Sequence, residues 1–110
     1  MIGSARSQCT DDVNSVARHI GSQVVFCGIP TGIKCAEPSG NEPVHIDFGG
    51  PYPQNAFSLT LPANAVGNGC ERLRHRLMGH EPRTEGRVDT LIGRPVIALE
   101  DIDDIVISDP

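Results

Sequence analysis

The sequence predicts one small all-β domain with a few short helices, and three observations lead to this fold class. The 110 residues are enough for a single domain with one hydrophobic core. Twelve glycines and nine prolines are many for this length, as is typical of short strands joined by tight turns. Residues 44–48 and 56–61 alternate apolar and polar side chains with the period of a half-buried strand. We therefore divide the chain into a flexible N-terminus, residues 1–9, and a single domain, residues 10–110.

An N-terminal helix is predicted over residues 10–20. Thr10 is a suitable N-cap, and Asp11 and Asp12 follow it in the first turn, where the helix dipole favours acidic side chains. The apolar residues that follow have the spacing of one helix face: Val13, Val16, Ala17 and Ile20. Gly21 is a suitable residue to end this helix.

The first strand is predicted as one long strand with a bend. Residues 23–29 contain the β-forming run Val24-Val25-Phe26, and the pattern resumes at residues 33–36. Gly28 and Pro30 interrupt it, and glycine inside a strand marks a bulge or a kink.

The second and third strands are predicted to pair antiparallel, because they are half-buried and joined by a short loop. The inward side chains are Val44, Ile46, Phe48, Phe57, Leu59 and Leu61, and the outward ones are His45, Asp47, Ser58 and Thr60. A short helix with the apolar stripe Cys70, Leu73 and Leu77 follows them. Two last strands are predicted over residues 83–92 and 94–99.

The order of these elements resembles the OB-fold. A closer resemblance is to small bacterial OB-fold domains of secreted, lipoprotein or thermonuclease-associated nucleic-acid-binding proteins. The residues that carry it are Gly21, Val24 to Gly28, Phe48, Pro51-Tyr52-Pro53, Phe57, Leu77, Gly79, Gly86, Gly93, Pro95, Glu100-Asp101 and Ile105. The resemblance covers about Val13 to Ile107. It implies a five-stranded OB-fold barrel with an N-terminal helix and a short helix between strands 3 and 4, acting as a non-catalytic binding module.

The net charge weighs against strong nucleic-acid binding, because phosphate contacts need Lys and Arg, but the distribution of the charges softens this point. The formal net charge is −5, but five of the acidic residues lie in the last eleven positions. Six of the nine cations fall between Arg72 and Arg94. We therefore expect one basic side and one acidic end.

The candidate binding residues lie on the outer sheet face and its adjoining loops, where an OB-type barrel binds ligands. The alternation predicts His45, Ser58 and Thr60 on this face. Tyr52 is the one aromatic residue free to stack on a base. We expect weak, mainly electrostatic binding of single-stranded nucleic acid, and the predicted ligand residues are Lys34, His45, Tyr52, Ser58, Thr60, Arg87 and Arg94.

Two other functions are compatible with the sequence. The first is a protein-interaction or assembly domain with no nucleic-acid role, using a strand edge or the helix face of Arg72 to Arg76. The second is a metal-assisted enzyme at His45 and Asp47. No nucleophile elbow, P-loop, H-E-x-x-H or G-x-G-x-x-G motif is present, so neither an enzyme nor a cofactor or metal is predicted.

The four cysteines form no C-x-x-C pair, which excludes zinc-ribbon and thioredoxin motifs. An even number permits disulfides, and buried free thiols are the alternative. Cys27 can pair with Cys35 if residues 28–32 fold back, and Cys9 with Cys70.

Met1–Ser7 is too short and polar for a signal peptide, and no stretch is long enough for a membrane span. We expect an extracytoplasmic location, either periplasmic or secreted.

Overall fold

The computed structural model describes residues 8–36, 41–52 and 54–107. Most of the predicted flexible N-terminus, residues 1–7, lies outside this range. The strands are β1 (Gln23–Cys27), β2 (Gly32–Lys34), β3 (Val44–Phe48), β4 (Phe57–Leu61), β5 (Pro82–Arg87), β6 (Asp89–Leu91), β7 (Arg94–Ala98) and β8 (Ile105–Ile107). The α-helices are α1 (Ala63–Val66) and α2 (Cys70–Leu77). Two single-turn 3₁₀ helices span Val16–His19 and Ile102–Asp104.

The strands form two sheets that pack around one core as a β-sandwich. The smaller sheet has the order β1-β5-β8, and the larger has the order β2-β3-β4-β7-β6. All neighbours are antiparallel except β4 and β7, which are parallel. The predicted five-stranded OB-fold barrel is wrong, because among the described residues no ladder joins the two sheets into a closed cylinder.

Two strands that the sequence predicts as continuous are each broken, and this explains the division into sheets. The first breaks between β1 and β2, where Pro30 has no N–H and the Thr31 N–H donates to the Asp47 carbonyl at 2.7 Å. The second breaks at Val88, whose N–H donates to the Ser22 carbonyl at 3.0 Å. For both predicted strands, the first half therefore lies in the smaller sheet (β1 and β5) and the second half in the larger sheet (β2 and β6).

The predicted N-terminal helix is also wrong. The N–H groups of Thr10 and Asp11 donate to the Val25 carbonyl at 2.8 and 3.2 Å, and the Cys27 N–H donates to the Asp11 carbonyl at 3.1 Å. These residues therefore lie beside β1, and only Val16–His19 is helical, as a single 3₁₀ turn. Bonds to β1 satisfy backbone groups that a first helical turn would leave without partners. The short helix predicted between the third and fourth strands is present as α2.

Three phenylalanines join the sheets at the centre of the core. The Phe26 ring, from the smaller sheet, lies 4.8 Å from the Phe48 ring and 4.6 Å from the Phe57 ring, both from the larger sheet. All three side chains are buried, as the alternation predicts. Edge-to-face and tilted ring pairs at these distances are favourable packing arrangements.

Two disulfides hold the described chain together, Cys9–Cys27 and Cys35–Cys70. Disulfide formation is confirmed, and the pairing, which the sequence leaves open, is neither Cys27–Cys35 nor Cys9–Cys70. Cys27 cannot reach Cys35 because the segment after β1 continues to the other sheet instead of folding back. Cys9 bonds to Cys27 because its segment lies along β1. Disulfides are typical of proteins from oxidising compartments.

Among the described residues, no helix is long and apolar enough to cross a bilayer.

Candidate functional site

Four of the predicted binding residues meet on the outer face of the larger sheet. The Lys34 Nζ lies 5.2 Å from the centre of the Tyr52 ring, and the Arg94 Cζ lies 5.7 Å from it. The His45 and Tyr52 ring centres are 6.2 Å apart. These distances place both cations within reach of the π-face of the tyrosine. We call Lys34, His45, Tyr52 and Arg94 the Tyr52 face.

The strand register brings these residues together from distant parts of the chain. Lys34 on β2 is directly opposite His45 on β3, and such cross-strand partners project to the same side of a sheet. Arg94 is the first residue of β7. In the larger sheet β7 lies next to β4, and both are on the opposite side of β3 from β2. Tyr52 comes from the loop between β3 and β4 and is half-exposed.

The loop that carries Tyr52 is fixed where it leaves β3. Gly49 has a φ of +78°, and a Cβ atom there would lie 2.8 Å from both the Ala56 Cβ and the Val13 Cγ2. A glycine is therefore required for the chain to turn so close to its neighbours. The Thr31 hydroxyl donates to the Gly50 carbonyl at 2.7 Å, which ties this turn to β2.

A buried polar layer lies beneath the loop. The Asn55 Nδ2 is 2.8 Å from the Ser58 Oγ and 3.3 Å from the Asp47 Oδ1, and the Ser58 hydroxyl donates to the same Asp47 oxygen at 2.8 Å. The Arg94 Nη2 donates to the Asn55 backbone carbonyl at 2.9 Å and to its Oδ1 at 3.2 Å. Asn55 thus connects the buried Asp47 carboxylate to Arg94 and fixes the arginine beside Tyr52.

Three predicted ligand residues are not part of the Tyr52 face. Ser58 and Thr60 lie on the outer side of β4, but they are only 5% and 6% exposed and are therefore covered. Ser58 is instead a hydrogen-bond partner of Asn55 and Asp47 beneath the loop. Arg87 ends β5 in the smaller sheet, and its Nε is 3.6 Å from the carboxylate of Asp89, the first residue of β6.

Sequence reasoning missed Asn55 and the structural role of Asp47. Strand alternation correctly places Asp47 on the outer side of β3, but it cannot show that a loop covers that side. Asn55 immediately precedes β4, at the end of the loop, and asparagine often bonds to nearby backbone groups in such positions. The position of Asn55 at the end of a loop is therefore the sequence feature that could have indicated its hydrogen-bonding role.

The Tyr52 face is positively charged and combines flat and cationic groups. Lys34 is exposed and Arg94 is half-buried, while the nearest carboxylate among their partners, Asp47, is covered. Such a surface can accept carboxylate or phosphate oxygens and stack a planar group against the tyrosine.

A second polar cluster lies next to the Cys9–Cys27 disulfide. The buried Asp11 carboxylate accepts from the Ser15 hydroxyl at 2.7 Å and contacts the His19 Nδ1 at 2.5 Å. Both partners bind the same oxygen of Asp11. Ser15 therefore donates to the aspartate and not to the histidine, which is not the connectivity of a serine nucleophile activated by a histidine base. The cluster instead anchors the N-terminal segment.

The Asp11 cluster predicts a pH-dependent contribution to stability. Burial works to raise the pKa of Asp11, but hydrogen bonds from Ser15, His19 and Thr10 and the charge of His19 together lower it below its usual value. A lowered folded-state pKa means that the contribution is complete above the unfolded-state pKa of about 3.9 and is lost as the pH falls. We expect Asp11→Asn to lower the free energy of unfolding at pH 7. Urea denaturation should show this difference shrinking below about pH 4. A difference that stays constant down to that pH would contradict the assignment.

Within the described ranges, no group of three His, Cys, Asp or Glu side chains converges on a possible metal position.

Two solved structures with a similar fold are those of an OBody bound to lysozyme. One is "OBody AM1L10 bound to hen egg-white lysozyme", at 15% identity and a TM-score of 0.60, with 96% of this chain and 98% of that chain covered. Another is "OBody AM3L15 bound to hen egg-white lysozyme", at 14% identity and a TM-score of 0.59, with 94% and 92% covered. At these identities the likeness shows a shared fold.

Neither protein-family models nor curated proteins match the chain, so the resemblance to the bacterial nucleic-acid-binding family stays a prediction.

Proposed function

We propose that this chain is a protein-binding module that works outside the cytoplasm, in the periplasm or as a secreted protein, and that its Tyr52 face contacts the partner. The observation that carries the proposal is Arg94 beside the Tyr52 ring, with the arginine held from below by its hydrogen bonds to Asn55, which in turn bonds to Asp47. Tyrosine and arginine are enriched among the residues that dominate binding energy at protein interfaces. Side chains that are already ordered lose little conformational entropy on binding.

Two further observations support this function. The similar solved structures are both bound to a protein, lysozyme, which is an example of protein binding by this fold. The two disulfides suit an oxidising compartment. The charge of the Tyr52 face favours a partner surface that carries carboxylates, because complementary potentials steer association.

A random-peptide display library selected against the folded protein tests the proposal, because it samples the whole surface. We expect the enriched peptides to carry Asp or Glu beside apolar residues. Arg94→Ala should weaken their binding by about tenfold or more, as expected for truncating a side chain of this kind. Arg87→Ala is the matched control, since it removes an arginine from the other sheet and should change binding by less than about twofold.

Equal losses of peptide affinity for Arg87→Ala and Arg94→Ala would show that the peptides respond to the overall positive charge of the protein, which would contradict binding at the Tyr52 face. Failure to enrich any peptide, or binding that survives Arg94→Ala and Tyr52→Ala, would reject the proposal.

Weak binding of single-stranded nucleic acid is the second candidate function, and the position of Lys34 and Arg94 around an exposed tyrosine favours it. Stacking on an aromatic ring contributes about 1–3 kcal/mol per base, but the face has only one such ring and both cations already lie against it. An oligonucleotide titration at two salt concentrations tests this function. Binding should fall steeply with salt and be reduced by Tyr52→Ala. No binding at low salt, or affinity unchanged by salt, would reject it.

A further inference from the structure

The turn between β6 and β7 has an unusual residue at its tip. Ile92 has a φ of 52° and is the one residue other than glycine with positive φ among the described residues. A β-branched side chain in this backbone region is an outlier, because its Cβ crowds the neighbouring carbonyl. Gly93 follows with a φ of 75°, so both turn residues have the left-handed conformation that Asn and Gly adopt most readily.

The same isoleucine is almost fully in water. Its side chain is 93% exposed, so no packing within the protein offsets the strained backbone. Leu91, just before it, is 41% exposed and increases the apolar surface at the tip. Strained residues persist at functional sites, where the strain accompanies a role in binding. An exposed apolar patch rimmed by polar groups is likewise a mark of an interaction site.

The tip adjoins the Tyr52 face. Leu91 is directly opposite Arg94 in the β6–β7 ladder, and opposite residues project to the same side of a sheet. Arg94 in turn lies against Tyr52. Leu91 and Arg94 therefore place the turn that carries Ile92 next to the cationic face on the larger sheet.

From this arrangement the geometry points to Ile92 as the apolar anchor of the binding surface, inserted into an apolar pocket of a partner protein whose rim carries carboxylates. The inference rests on the proposed protein-binding function and specifies the partner's chemistry. The isoleucine fills the pocket, and Arg94 and Lys34 pair with the acidic rim. An interface with an apolar centre and a polar rim is the usual anatomy of a specific protein complex.

Two measurements on Ile92→Asn test the inference. The matched control is Ile20→Asn, because Ile20 is another exposed isoleucine, at 51%, and follows the 3₁₀ helix Val16–His19 instead of belonging to the β6–β7 hairpin. Asn favours the left-handed region, so Ile92→Asn should raise the melting temperature by about 4–8 °C. It should also weaken binding of the library-selected peptides by about tenfold or more. Ile20→Asn should leave peptide binding within about twofold.

The outcomes separate this inference from the function on which it rests. Peptides that bind Ile92→Asn as tightly as the unchanged protein, yet lose affinity for Arg94→Ala, would overturn the anchor and leave the protein-binding function standing. Peptides insensitive to both substitutions would overturn both. A melting temperature that falls in Ile92→Asn would show that the isoleucine stabilises the fold, which also contradicts the inference.

Discussion

Replacing Phe26 with alanine should lower the free energy of unfolding by about 3–5 kcal/mol. Its fully buried ring contacts Phe48 and Phe57 across the core, so the substitution leaves a cavity between the two sheets. The structure around such a cavity relaxes only in part, which adds to the lost burial. Urea denaturation followed by circular dichroism measures the change.

Phe26→Leu is the control for this substitution, because leucine keeps much of the apolar volume and should cost clearly less than alanine. A loss below about 1 kcal/mol for Phe26→Ala would mean that the phenylalanine cluster does not hold the sheets together.

Removing the Cys35–Cys70 disulfide should have the second largest effect, a loss of about 2–4 kcal/mol in the free energy of unfolding. The bridge joins the end of the β2 segment to the first residue of α2 across a sequence separation of 35. The Arg74 Nη2 reinforces this junction by donating to the Ile33 carbonyl at 3.2 Å. The double variant Cys35→Ala/Cys70→Ala, measured without reductant, gives the change.

The Cys9–Cys27 disulfide is the internal comparison, since its sequence separation is 18, about half as long. In the loop-entropy account, each doubling of the loop adds about 0.6 kcal/mol, so Cys9→Ala/Cys27→Ala should cost less. A double variant at 35 and 70 that is as stable as the unchanged protein would contradict a structural role for that bridge.

Strand alternation was reliable wherever packing against the core decides the side-chain direction. In β3 and β4, the inward positions Val44, Ile46, Phe57 and Leu59 are all buried as predicted. The outward side was less predictable, because a sequence pattern cannot show that a loop covers it. Ser58 and Asp47 are consequently outward in register but hidden beneath Asn55.

The division of the strands into two sheets and the position of the N-terminal segment cannot be predicted from local sequence patterns, because tertiary contacts decide both. Residues 10–20 have a good helical pattern, yet Thr10 and Asp11 bond to β1, and the Cys9–Cys27 bridge holds them there. Tertiary contacts thus outweigh a local propensity of a few tenths of a kcal/mol per residue. The disulfide pairing stays open in the sequence for the same reason, because it depends on where the strands lie.

The candidate site was partly visible in the sequence. Strand alternation predicts His45 on the outer face, side-chain chemistry predicts Lys34, Tyr52 and Arg94 as ligand residues, and the fold brings the four together. Ile92 is not recognisable as a site residue in the sequence, because an isolated isoleucine in a predicted strand suggests burial. Its turn position follows only from its backbone conformation and exposure.

The claim that the outer face of the larger sheet binds a protein partner is tested most directly by amide hydrogen exchange with a library-selected peptide bound. The account predicts slower exchange in the described loop residues around Tyr52 and across residues 89–96, with β1, β5 and α2 unchanged. Slower exchange confined to β1-β5-β8 or to α2 would contradict it.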